Sequence, residues 1–345
     1  MQSRELPPAT RKKVGMMNPK IANTTRRAAL LGALATPWLS LPATAQQPSL
    51  VEIGTEGWLF PVWDRLMRID MPALRGVLQT VGEAITIMRA AQIQVAICLI
   101  PSRKRLMRRY LPVGSQVSPE AVQRYTLTIA ECTRAGAVAP DLDALFRNQM
   151  QRDPAHPIFF KTDTHWTPMG AELAAVEIAR QMRAQMQLPA SPRQGTRLGD
   201  LRPMVLAAGD LGQHVPPAQR ANFPPEQSLI RQILPPEGAA ALIEDDSYDT
   251  VVVGTSNVQP RFGFQPVLSN QLMRPVGLAW RTNNMGAYFA LLEYARSDAF
   301  KRQKPRALVW NFLEQDMVST TSNSAWGSSA MPAPEFINQL RRAVS

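Results

Sequence analysis

Histidine and cysteine are scarce in this chain of 345 residues, which holds three of the first and two of the second. Two cysteines cannot build a disulfide scaffold or a thiolate metal cluster, and Cys98 and Cys132 stand in neither a redox nor a ligand spacing. Whether they pair is open. Cys98 lies in the strand-like run Val95-Ala96-Ile97-Cys98-Leu99-Ile100 and reads as a core residue, while an oxidising compartment would permit a bond to Cys132 on the next helix. Aromatic residues make up only 7% of the chain and are not interleaved with basic ones, so a nucleic-acid-binding surface is not expected. No apolar run reaches the ~20 residues that a membrane span needs. Against these shortages stand 30 prolines, 45% hydrophobic residues and a net charge of +11. That apolar content allows a sizeable core, in one large domain or two modest ones.

The charge is unevenly placed. Arg4, Arg11, Lys12, Lys13, Lys20, Arg26 and Arg27 face only Glu5 within the first 45 residues, so +6 of the +11 lies there and about +5 remains. The same segment reads Thr25-Arg26-Arg27-Ala28-Ala29-Leu30-Leu31, runs apolar to Leu41 and ends Ala43-Thr44-Ala45. A basic region, a short apolar stretch and a small-x-small site make a signal peptide, and paired arginines make it a twin-arginine type. Residues 1–45 are therefore expected to be an export signal, and 46–345 the exported, soluble domain. A permanent anchor is the competing reading, disfavoured by the short run and by Pro37 within it.

Along the rest of the chain, helical spacing of Leu74, Val77, Leu78, Val81, Ile85 and Met88 predicts a helix over 73–91. A buried strand follows over 92–100, ended by Pro101. Ser118 caps a helix to about 134, residues 137–143 read as a short strand and loop, and a helix runs from 168 to about 187. Helices are further expected over 284–297 and 334–344, with a strand over 307–312. Strand and helix alternating at these lengths argue for an α/β fold with a doubly wound parallel sheet. Residues 188–247 break the pattern. Prolines punctuate them and no helical period survives, so they read as an irregular insertion folded over one face of the site, as a lid does.

The chemistry concentrates in Phe159-Phe160-Lys161-Thr162-Asp163-Thr164-His165-Trp166-Thr167-Pro168. On extended backbone an Asp two residues before a His shares its face, where a carboxylate can orient an imidazole general base. Thr167 reads as an N-cap and Pro168 as the first helical residue. About ninety residues on, Asp249-Thr250-Val251-Val252-Val253 runs into Gly254-Thr255-Ser256, a serine at the carboxyl end of a buried strand, where open α/β sheets place their chemistry. Duller readings stand beside each residue. His165 could bond only its own loop, Asp163 could serve the helix entry, and Ser256 could be a turn residue. Asp163 and His165 alone fall short of a metal site. His156, in a turn, and His214, in the insertion, read as surface. Oxyanion donors would be the Ser256 amide and, second, Asn284 or the amide of Gly286 near a helix start.

Four segments carry a family resemblance: Gly54-Thr55-Glu56-Gly57-Trp58-Leu59-Phe60, Pro101-Ser102-Arg103-Lys104, Thr162-Asp163-Thr164-His165-Trp166-Thr167-Pro168 and Gly254-Thr255-Ser256. In that order they resemble the SGNH-hydrolase-like domain of the alginate O-acetyltransferases of the AlgJ/AlgX type, over roughly residues 50–320. One departure is visible, Trp310-Asn311-Phe312-Leu313-Glu314-Gln315 where the family often shows an acidic Trp-Glu…Glu-Arg pattern. The resemblance implies a three-layer α/β/α fold and a Ser256–His165–Asp163 triad. It also implies a periplasmic enzyme that moves acetyl groups onto hydroxyls of an exported polysaccharide, supplied by a membrane-bound O-acetyltransferase, with no cofactor or metal. A carbohydrate acetylesterase and a non-catalytic polysaccharide-binding scaffold share the same features and remain alternatives. Trp58, Trp166 and Trp280 could each offer an aromatic face to a sugar ring, and each reads more simply as core or rim packing. Arg103 and Lys104, with Arg108 and Arg109, offer either a field for an anionic polymer or a solvated helix face.

Overall fold

The computed structural model describes residues 49–237 and 247–345. The export signal read over 1–45 lies outside the described residues, as do positions 238–246 of the insertion. The described chain opens with a small antiparallel hairpin, β1 (Val51–Ile53) and β2 (Leu59–Pro61). Helix α1 (Met71–Ala90) follows, capped by the Asp70 side chain accepting from the Ala73 amide at 2.9 Å. Its buried face includes Leu74, Val77, Val81, Ile85 and Met88, the predicted stripe. Strand β3 (Gln94–Ile100) leads into a single turn, α2 (Arg103–Leu106), and then α3 (Pro119–Arg134), capped by Ser118 as expected.

The stretch read as a short strand and loop behaves differently. Val138 makes one parallel bridge to Ala96, and Asp141 then caps a helix, α4 (Leu142–Arg152), by accepting from the Ala144 amide at 3.0 Å. The acid that looked like a loop residue is a helix start. Helix α5 (Pro168–Gln185) begins with the predicted Thr167 cap. The insertion is not irregular throughout, because β4 (Arg197–Leu206) and β5 (Glu226–Leu234) form an antiparallel ribbon within it. Pro203 is tolerated in β4 because the ribbon has two strands only, and each has a free edge.

Strand β6 (Thr250–Gly254), helix α6 (Phe264–Leu272), strand β7 (Gly277–Trp280), helices α7 (Gly286–Arg296) and α8 (Asp298–Arg302), strand β8 (Ala307–Leu313) and helix α9 (Ala333–Val344) complete the chain. The central sheet has the order β3-β8-β6-β7 and is parallel throughout. Its two middle strands are buried on both faces, as a covered parallel sheet requires. Helix α1 packs on α3 and α9, and α9 on α7, whereas α5 packs on α4 and α6, giving one helical layer per face. This is the α/β/α arrangement expected. No helix among the described residues is long and apolar enough to cross a membrane.

A buried ionic network braces the carboxyl ends of β3 and β8. Glu314, just past β8, is fully buried and accepts from Arg105 at 2.6 Å, Arg124 at 3.2 Å and the Ser102 amide at 2.8 Å. Arg124 also meets buried Asp64 at 3.1 Å, and Arg105 meets Asp143 at 2.7 Å. Removing one partner from such a set leaves an uncompensated buried charge, which costs far more than the pair contributes. Glu314, the acid that the chain keeps from the family pattern, is thus structural, while the departures fall at Asn311 and Gln315. Cys98 and Cys132 are both buried free thiols, and burial pushes each up to about 12.

Candidate active site

Two segments distant in sequence meet above the carboxyl edge of β6. The strand ends at Gly254, where an added Cβ would lie 2.5 Å from the Cβ of Asn311 on β8. Only glycine lets these strands approach so closely. Thr255 follows, and Ser256 opens a single 3-10 turn, half-buried. From the other side comes the loop before α5, anchored by the Thr167 cap and by Phe159 bridging Trp166.

The meeting aligns three groups. Ser256 Oγ lies 2.8 Å from His165 Nε2, and His165 Nδ1 lies 2.5 Å from Asp163 Oδ1. Asp163 also accepts from the His165 amide at 2.9 Å and, through Oδ2, from the Asp210 amide at 3.1 Å. Burial pushes the Asp163 carboxyl up, but its hydrogen bonds and the adjacent imidazole outweigh that and hold it below the ordinary carboxylate range. The imidazole stacks on Phe262, with centroids 5.1 Å apart. Such a line permits Ser256 to lose its proton to His165 while Asp163 stabilises the resulting imidazolium. The Ser256 amide has no hydrogen-bond partner among the described residues, so it remains a donor for developing negative charge.

Of the two further oxyanion candidates, only the Asn284 side-chain NH2 is left uncommitted among the described residues. The Gly286 amide already donates to the Asn283 carbonyl, and Asn284 accepts from Thr282 Oγ1 in an exposed turn. Gly286 is glycine for another reason, since its φ is +76° and a Cβ would meet the Trp326 ring at 2.9 Å. Trp166 is no sugar platform either. It is wholly buried, stacked on Phe264, with its Nε1 donating to the Asn257 carbonyl at 2.8 Å. That bond joins the His165 segment to the Ser256 turn.

Arg103 and Lys104 are likewise buried rather than open to a polymer or to solvent. Arg103 donates to the Phe160 carbonyl at 2.6 Å, to the Lys161 carbonyl at 3.0 Å and to the Leu59 carbonyl, with its guanidinium 5.3 Å from the Trp58 ring centre. Burial lowers it to about 10, and nearby Asp163, Asp210, Glu226 and Asp64 oppose the fall. Arg103 therefore rivets the β1–β2 hairpin to the histidine loop. Lys104 pairs with Glu52 at 2.7 Å. Arg108 and Arg109 are exposed. His156 bonds Asp153 at a surface turn, and His214 is an exposed residue of the insertion.

Two acids from the insertion were not anticipated. Glu226 accepts from the Lys161 amide at 2.6 Å and from the Thr162 amide at 2.8 Å. Asp210 accepts from the Thr164 amide at 2.7 Å. Donor atoms of Asp163, His165 and Asp210 lie within 4.8 Å of one another, a grouping found nowhere else among the described residues. The His165 Nδ1 in it is already committed to Asp163, so the three form a hydrogen-bonded unit rather than an open ligand set.

With this geometry in view, the comparisons with known proteins are specific. The family described as "SGNH hydrolase-like domain, acetyltransferase AlgX" matches residues 51–314. A "Probable alginate O-acetylase AlgJ" of Pseudomonas putida is 28% identical over 310 residues, covering 85% of this chain and 75% of its own length. An "Alginate biosynthesis protein AlgX" of Pseudomonas aeruginosa is 28% identical over 232 residues, covering 64% of this chain and 46% of its own length. The solved O-acetyltransferase domain of Pseudomonas putida AlgJ superposes with a TM-score of 0.68 at 26% identity, covering 85% of this chain and 99% of that one. Pseudomonas aeruginosa AlgX shares the fold, with a TM-score of 0.59 at 20% identity, covering 84% of this chain and 67% of that one. The matched interval contains Ser256, His165 and Asp163 together with the ribboned insertion, and this chain belongs to the SGNH-hydrolase-like acetyltransferase family of AlgX and AlgJ.

Proposed function

We propose that this protein is an exported O-acetyltransferase that moves acetyl groups onto hydroxyls of a polysaccharide through an acetyl-serine intermediate. Family membership supports acetyl transfer to a polysaccharide, since the relatives bear the names alginate O-acetylase and acetyltransferase. One observation carries the mechanism, the continuous line from Ser256 Oγ through both ring nitrogens of His165 to Asp163.

His165 Nε2 takes the Ser256 proton as Oγ attacks the acetyl carbonyl, and Asp163 stabilises the imidazolium. The Ser256 amide receives the oxyanion of the tetrahedral intermediate. Collapse breaks the bond to the donor's leaving group, which takes the proton back from His165 and leaves acetyl-Ser256. A sugar hydroxyl, deprotonated by His165, then attacks the ester, and its collapse returns Ser256 with its proton. A membrane-bound O-acetyltransferase would supply the donor, consistent with the export signal read over 1–45 and the lack of acetyl-CoA outside the cytoplasm.

The test is product analysis by mass spectrometry after incubation with an acetyl ester, with and without oligosaccharides. Acetylated sugar from the wild type and none from Ser256→Ala is the expected result. Free acetate alone would make the protein an esterase, and retained sugar binding with neither product would make it a scaffold.

A further inference from the structure

The insertion is more than an elaboration of the sheet, because one of its acids faces the imidazole. Asp210 Oδ2 lies 3.6 Å from His165 Nδ1, beyond the primary bond to Asp163. Its Oδ1 accepts from the Thr164 amide at 2.7 Å, its Oδ2 accepts from the Thr164 hydroxyl, and its own amide donates to Asp163 Oδ2 at 3.1 Å. Asp210 therefore touches every residue from 163 to 165. Both of its neighbours fix it there. At Gly209 an added Cβ would lie 2.0 Å from the Thr162 carbonyl, so the chain approaches the histidine loop more closely than any side chain allows. Leu211 is buried with Val51, Leu59 and Val215, which pins the next position to the β1–β2 hairpin.

We propose that Asp210 is a positioning residue, a second carboxylate that fixes the Asp163–His165 pair and favours the protonated imidazole formed during acyl transfer. This inference rests on the reading of His165 as the general base. An anion near a base that gains a proton stabilises the charged form. Asp163 supplies the primary hydrogen bond, and Asp210 adds a longer-range charge and holds the loop in register. The other charges around the site are Arg103 on α2, Glu226 on β5, Asp64 and Lys161, with Arg261 over the outer part of Phe262. Of these only Arg103 is known to feel the Asp210 charge, and its bonds to the Phe160 and Lys161 carbonyls do not involve Asp210. The Asp210 side chain is 40% exposed, so it acts on the imidazole as a partly screened charge.

The experiment compares wild type, Asp210→Asn and Asp210→Ala. Asparagine keeps the size and can still accept from the Thr164 amide, so it removes chiefly the charge. First, the His165 ring is titrated by NMR in a Ser256→Ala background, with and without Asp210→Asn, a readout independent of turnover. Second, the pH profile of acetyl-ester cleavage is recorded with Ser256 intact. The expected result is a His165 titration moved to lower pH by Asp210→Asn, the acid limb of the profile moving with it, and a further fall in kcat for Asp210→Ala. Coincident titrations and coincident acid limbs with and without Asp210→Asn would overturn the proposal. If the wild type forms no acetyl-Ser256, the catalytic reading fails while the ring titration still decides whether Asp210 acts on His165.

Discussion

Replacing Arg103 by methionine separates two accounts of the basic turn after β3. If Arg103 met an anionic polymer, the variant would fold normally and bind acceptor more weakly. The geometry demands the reverse. The guanidinium is almost wholly buried and serves the Leu59, Phe160 and Lys161 carbonyls. Methionine retains the apolar stem beside Trp58 and Phe60 but donates nothing. Hydrogen bonds to charged groups are worth about 1.5–3 kcal/mol each, and relief from burying a cation offsets part of their loss. A net destabilisation of about 2–4 kcal/mol follows, or roughly 5–10 °C in the unfolding midpoint for a domain of this size. The assay is thermal and urea denaturation followed by circular dichroism, beside kcat and KM for an acetyl ester. Because two of the lost bonds hold the strand entering the Asp163–His165 loop, kcat should fall as well. An unchanged midpoint with only a raised KM for polymer would refute the rivet and restore Arg103 as a substrate contact.

Gly254→Ala should cost at least tenfold in kcat, measured with an acetyl ester, because its Cβ must push against Asn311 and displace the Ser256 turn. Thr167→Ala should lower stability by about 1 kcal/mol in urea titrations through loss of the α5 cap. Asp163→Asn should flatten the acid side of the stability profile. A carboxyl held below its ordinary value contributes stability above the unfolded value of 3.8, and that contribution is lost as pH falls through the folded value. Equal acid sensitivity of wild type and variant, followed by fluorescence, would contradict the Asp163–His165 coupling.

What the sequence made legible was local. Ser118 followed by Pro119, and Thr167 followed by Pro168, marked two helix starts because cap and proline act within one turn. The spacing of Asp163 and His165 and the Val-Val-Val run before Gly254 were readable for the same reason. Helix α4 was missed because Asp141 is as good a loop residue as a cap, and only its bond to the Ala144 amide decides between them. The β4–β5 ribbon was hidden by Pro203, which argues against a central strand but not against a free-edged pair. Asp210 and Glu226 were invisible because their partners lie 46 and 65 residues away in the chain. Arg103 and Lys104 were misplaced by the ordinary expectation that a run of basic residues faces water. That expectation fails where backbone carbonyls surround Arg103 and the partly buried Glu52 pairs with Lys104.

The central claim is that Ser256 carries the acetyl group. Intact-protein and peptide mass spectrometry of the purified protein, quenched shortly after mixing with an acetyl ester, tests it most directly. The account predicts one acetyl group on the peptide containing Ser256, absent from Ser256→Ala, strongly reduced in His165→Ala and discharged by an acceptor oligosaccharide. An unmodified Ser256 with undiminished acetyl transfer, or an acetyl group on another residue that oligosaccharide discharges, would contradict it.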